Sequence, residues 1–178
     1  LSEFFTILIF LALTFRKGTI MLESCKTAKE LWGGVHNLID RWLNERQELI
    51  MLYCAIEGLD RYTPIDASLE TKTKAFCQIM MDYVSAGHFE VYEQLFKEAK
   101  EFNDGSIELA KTLYPKIKLN TQQLLDFNDK YDGDDHTAAH LTELHDELSN
   151  IGVYLEERFE LEDKLIKHLH ESHRELVD

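Results

Sequence analysis

Two groups of polar side chains in this sequence have spacings at which chemistry can occur. The first is His136, His140, Glu143 and Glu147, at i, i+4, i+7 and i+11, which a helix would align on one face. Imidazoles and carboxylates in such a row can hold a divalent metal inside a helix bundle. A dinuclear carboxylate site needs Glu-x-x-His on two helices plus further Glu, and that pattern is missing. The plainer reading is a solvated face opposite the Leu141, Leu144 and Leu148 stripe. His136, His140 and Glu143 therefore form a secondary metal candidate, and no cofactor is expected. His168, His170 and His173 do not share one helical face and are expected to be exposed.

The second group is Asp82-Tyr83-Val84-Ser85-Ala86-Gly87-His88-Phe89. Tyr83 belongs to an apolar stripe, while Asp82 and Ser85, three apart, project together from another face. Ser85, Ala86 and Gly87 permit close approach of a second backbone, and Phe89 follows an expected helix break at Gly87. A carboxylate, a hydroxyl and an aromatic ring around a small-residue surface suit a basic helix. The alternative is a helix–helix corner in which Ser85 and Gly87 only permit packing and Asp82 is solvated. Spacing alone leaves both readings open.

Nucleophile elbows, phosphate-binding glycine loops and HExxH metal motifs are missing from the sequence. A helical chain without them reads as a binding protein, not an enzyme. Cys25, Cys54 and Cys77 include no CxxC pair and read as inert thiols in a reducing compartment.

The elements that must position these residues are helical almost throughout. Leu31, Val35, Leu38, Trp42, Leu49, Tyr53 and Ile56 follow three- and four-residue steps, with Gly33-Gly34 fraying the helix start and Gly58 stopping it. Thr63-Pro64 predicts a loop. Leu69, Phe76, Met80 and Tyr83 form a second stripe; Phe89, Tyr92, Leu95, Phe96, Ala99 and Phe102 form a third. Asn103-Asp104-Gly105 ends that helix, and Ser106 can cap the next. Pro115 predicts an interruption, with a new segment starting around it and carrying Leu124 and Phe127. After a turn at Asp132-Gly133-Asp134-Asp135, a long last helix runs through Leu141, Leu144, Leu148, Ile151, Leu155, Phe159, Ile166 and Leu169. Glu162 falls near its apolar stripe and is expected to pair with Arg41 or Arg46. The fold class is all-α: one antiparallel four-helix bundle with long, partly broken helices.

Composition agrees. The chain has 178 residues, 44% hydrophobic, with only 8 Gly and 2 Pro, enough for one core and poor in turn residues. Its 33 acids against 19 bases leave a net charge of −14, which argues against direct nucleic-acid binding and favours a basic partner. Residues 1–20 differ from the rest. Their apolar run, Phe4 to Phe15, is too short to span a bilayer and lacks a signal-peptide pattern. The preferred reading takes Met21 as the natural start and residues 1–20 as a non-native extension; a short membrane-associating helix competes with it. Without Glu3, Arg16 and Lys17, the balance is 32 acids to 17 bases, a net −15. The single domain is then 21–178.

From about Leu38 to Ile166 the chain resembles the Rsd/AlgQ family, bacterial anti-sigma factors. The resemblance rests on Asp40-Arg41-Trp42-Leu43 with Arg46, Leu49, Tyr53 and Gly58; Phe76-Cys77-Gln78; Asp82 to Phe89 with Tyr92-Glu93; Asn120-Thr121-Gln122-Gln123; Leu148-Ser149, Ile151-Gly152, Leu155-Glu156, Arg158-Phe159, and Leu161 to Ile166. The Asp82–Phe89 string is the most specific of these. The family's start also fits Met21.

The resemblance implies a cytoplasmic helical bundle that binds the primary sigma factor of RNA polymerase, through the sigma domain that reads the −35 promoter element. Sequestering that domain keeps sigma from core polymerase and favours alternative sigma factors in stationary phase. It implies the phosphocarrier HPr or the alarmone hydrolase as further partners, and no membrane. Asp82, Ser85 and Phe89 match the family's sigma-facing pocket, and His88 lies within the same string. The segment from Asp129 to His140 fits loosely, so no role is carried over there.

Overall fold

The computed structural model describes residues 37–58, 67–102 and 106–177. The expectations for residues 1–20, Met21, Cys25, Gly33-Gly34, the Thr63-Pro64 loop and Asn103-Asp104-Gly105 lie outside the described residues. Among the described residues are five α-helices, α1 (Asn37–Ile56), α2 (Leu69–Ala86), α3 (Tyr92–Phe102), α4 (Ser106–Tyr131) and α5 (Asp134–Val177), with a π-helical segment, Gly87–Val91, between α2 and α3. The described residues contain no strand.

Side-chain contacts give the directions. Trp42 lies on Tyr83 with ring centroids 4.9 Å apart, and farther along Tyr53 meets Phe76 at 6.2 Å, so α1 and α2 are antiparallel. Asn120 Nδ2 donates to the Tyr154 carbonyl at 2.7 Å and Lys130 Nζ reaches Glu147 at 2.5 Å, so α4 and α5 are antiparallel too. Arg46–Glu162 and Tyr53–Leu148 contacts set α1 antiparallel to α5, while Phe76–Phe127 and Tyr92–Tyr114 set the α2–α3 run against α4. The result is a closed four-helix bundle in which α2, the π segment and α3 make one continuous second helix.

The predicted stripes face the core with one correction: Phe89, expected to begin the third stripe, is exposed, because the stripe starts only after the π segment, at Val91 and Tyr92. Trp42, Leu49, Tyr53, Phe76, Met80, Tyr83, Tyr92, Leu124, Leu148, Leu155 and Phe159 are all buried. Ser68 caps α2, accepting the Thr71 N–H at 3.1 Å. Gly58, with φ +72°, adopts the left-handed turn that terminates α1 as expected. Cys54 and Cys77 are buried, and burial pushes their thiols up to about 11 and about 12.

Two boundary expectations are corrected. Pro115 does not interrupt a helix; it lies inside the continuous α4. An internal proline costs about 3 kcal/mol, but the flanking Leu113 and Ile117 are both buried and contribute about 2 kcal/mol each. Gly87 does not break the second helix either. Its φ of −55° is right-handed, and the chain widens into the π segment there. Tyr83 and Tyr92 are nine positions apart, about two and a half α-helical turns, which would put them on opposite sides. The extra residue taken up by the π segment resets the phase, so both rings face the core.

Candidate partner-binding surface

Phe89, inside the π segment, points outward and is 73% exposed. Asp82 and Ser85, on the outer face of α2, are exposed as well. Gln78 donates to Asp82 at 3.0 Å, one turn earlier on the same face.

α1 supplies the other wall. Arg41 and Glu90 form an exposed ion pair at 2.5 Å, tying the start of α1 to the π segment. One turn on, Glu45 is half-buried. Burial holds its carboxyl above the usual range; Arg41 opposes this, while Asp82, Glu90 and Glu48 push it further up. Glu45 therefore lies within the field of three other carboxylates, with Arg41 as the nearby cation. Burying a basic side chain there would relieve that repulsion.

His88 differs from its neighbours in sequence. It is half-buried and turned inward, with Nε2 2.8 Å from Thr121 Oγ1 and the ring edge-on to Tyr92 and Tyr114. Burial, then Arg158, lower its pKa. The structure thus brings Asp82, Ser85 and Phe89 to one surface and places His88 behind it. Nothing in the sequence reading assigned Arg41, Glu45, Glu48 and Glu90 to this surface. The first three lie at i, i+4 and i+7 on the face of α1 away from Leu49, a readable signal.

Behind the surface is a buried ionic network. Glu162, fully buried in α5, meets Arg46 Nη2 at 3.1 Å and Arg158 Nε at 2.8 Å. The hydroxyls of Tyr83 and Tyr92 donate to its two oxygens, one each. Arg46 also donates to Tyr83 Oη at 2.9 Å and to Asp163 at 2.6 Å, and its guanidinium lies 4.7 Å from the Phe159 ring centroid. Arg158 donates to Tyr92 Oη at 3.1 Å and to Thr121 at 2.9 Å. Two guanidiniums face two carboxylates, so the charges balance. The expected pairing of Glu162 with Arg46 holds; Arg41 is engaged on the surface instead.

In the other candidate cluster the described side chains have other partners. Lys130 Nζ bridges Glu143 and Glu147 at 2.5 Å each, which lowers the Glu143 pKa and raises that of the ammonium. His140 Nδ1 stands 3.7 Å from Glu143, and the His136 side chain lies outside the described residues. Among the described residues, no three His, Cys, Asp or Glu side chains converge as metal ligands. The Lys130 ammonium already occupies Glu143, the carboxylate of that candidate, and offsets part of the charge of Glu143 and Glu147. His168 is exposed as expected.

The chain is similar to proteins named regulator of sigma D from Yersinia pseudotuberculosis (36% identity over 157 residues, 85% of this chain and 90% of that protein) and from Yersinia enterocolitica (35% over 156 residues, 85% and 92%). A counterpart from an Enterobacter species is 37% identical over 148 residues, covering 82% of this chain and 88% of that protein. The family model described as regulator of RNA polymerase sigma(70) subunit, Rsd/AlgQ, matches residues 21–170. With most of its length covered and the motif-bearing helices in place, the chain belongs to the Rsd/AlgQ family of regulators of the RNA polymerase sigma(70) subunit.

Proposed function

We propose that this protein acts as an anti-sigma factor: it binds the primary sigma subunit without catalysing a reaction, in the cytoplasm, and keeps sigma from core polymerase. The contact runs through the acidic surface of α1, α2 and the π segment, and the sigma element it takes is the promoter-reading helix-turn-helix. Such a module is basic because its natural ligand is a phosphate backbone. A protein carrying −14 attracts it at long range, and Asp82, Glu45, Glu48 and Glu90 provide local counter-charges.

The observation that carries this reading is the exposure of Phe89. A large ring 73% open to water, next in the chain to Glu90 and on the exposed side with Asp82, has the composition of a hot spot at a protein interface. No described helix is long and apolar enough to cross a membrane. Favouring alternative sigma factors in stationary phase would follow from sequestration by mass action.

The test is titration of the isolated promoter-reading domain of the primary sigma subunit with the parent protein and with Phe89→Ala and Asp82→Lys. Both variants should bind more weakly, Phe89→Ala the more so. Unchanged binding by both removes this surface from the account.

A further inference from the structure

We propose that Glu162 is a positioning residue for the partner surface: its buried carboxylate holds the π segment from both ends and so fixes the direction in which Phe89 points. This rests on the reading of Phe89 as a partner contact. The argument begins with the chain's path. Tyr83 lies four residues before Gly87, and Tyr92 directly follows Val91. Their hydroxyls donate to the two different oxygens of the same carboxylate. The backbone between them is therefore tied at each end to one atom group on another helix.

A third tie comes from inside the segment. His88 meets Thr121, Thr121 accepts from Arg158, and Arg158 holds Glu162. Trp42 adds a fourth, donating from Nε1 to the Tyr83 carbonyl at 3.0 Å. The wide π turn needs these ties because it is an uncommon conformation that neighbouring contacts must enforce. Gly87 shows how tight the enclosure is: a Cβ there would stand 3.1 Å from Tyr92 Oη and 3.2 Å from Trp42. Without the carboxylate, the segment can relax to plain α-helix. The one-residue phase change, about a quarter turn for the residues after the segment, would then rotate Phe89, in its middle, by part of that relative to Asp82 and Ser85. Glu162 itself is fully buried and cannot touch a partner.

The experiment compares Tyr92→Phe, which removes one tie and leaves the charges balanced, with Glu162→Gln, and uses Tyr53→Phe as a core control outside the network. Each full-length variant is studied at a temperature where circular dichroism shows it fully folded. The readouts are amide hydrogen exchange at residues 87–91 and affinity for the promoter-reading domain of sigma. Tyr92→Phe should speed exchange at 87–91 about tenfold, leave α1 and α4 protected, and weaken binding five- to tenfold. Adding Phe89→Ala to it should cost less than Phe89→Ala costs alone. Tyr53→Phe should change neither readout. Unchanged exchange at 87–91 in a folded Tyr92→Phe protein overturns the positioning role, whatever the affinity does. Faster exchange there, with Phe89→Ala binding like the parent, retains the positioning role and overturns the docking reading.

Discussion

Tyr53 occupies the space where Gly152 would carry a side chain: a Cβ on Gly152 would lie 2.3 Å from the Tyr53 hydroxyl oxygen and 2.9 Å from the ring carbon that bears it. Tyr53 is fully buried and donates to the Leu148 carbonyl, so the ring has nowhere to swing. The approach of α1 to α5 depends on that missing methyl.

Gly152→Ala should therefore destabilise the fold by about 1–3 kcal/mol, although alanine is the better helix former by about 1 kcal/mol. Adding Tyr53→Phe, which deletes the nearest atom, should recover part of the loss. Urea denaturation of the two single variants and the double variant checks this; a more stable Gly152→Ala protein would contradict it.

The ionic network should respond asymmetrically. Removing one partner, as in Arg46→Met, strands buried carboxylate charge and should cost about 3–5 kcal/mol. Glu162 also pairs with Arg158, so the matched change replaces Arg46, Arg158, Glu162 and Asp163 together with apolar residues of similar volume, with Tyr83 and Tyr92 as Phe; it strands no buried charge and should be far less costly than that single change. Thermal denaturation of both proteins is the measurement.

His88 gives a pH dependence of predictable sign. Its pKa is lowered in the folded protein, first by burial and then by Arg158. The unfolded chain, with a histidine pKa of about 6.5, binds the proton more readily. Stability is therefore present in full above that value and is lost as pH falls through it. A His88→Gln variant should show a flatter stability profile between neutral and mildly acidic pH. A profile that overlays the parent's would show that His88 contributes nothing to it.

Binding should be salt-sensitive in a way that distinguishes charge from shape. Asp82→Lys should mainly slow association and lessen the dependence on ionic strength, since exposed charges act at long range and are screened. Phe89→Ala should mainly speed dissociation, by about tenfold or more if the ring is a hot spot of about 2 kcal/mol. Stopped-flow association at two salt concentrations separates the two effects.

The sequence by itself determined the helical class, the buried stripes, the long last helix and the Asp82–Phe89 string, because three- and four-residue spacing of apolar side chains dictates which helix face leaves water. It also called for an arginine such as Arg41 or Arg46 beside Glu162, since a carboxylate on an apolar stripe must find a cation, but did not point to Arg158, which pairs with it too. The tertiary structure alone decided between Arg41 and Arg46, kept α4 continuous through Pro115, and turned His88 inward while leaving Phe89 outside. It also gave the Glu143 and Glu147 carboxylates to Lys130 instead of leaving them to a metal. These outcomes depend on contacts between helices far apart in the chain. A one-residue π insertion changes the phase of everything after it, yet it is enforced by a carboxylate about 70 positions away that no local pattern can register.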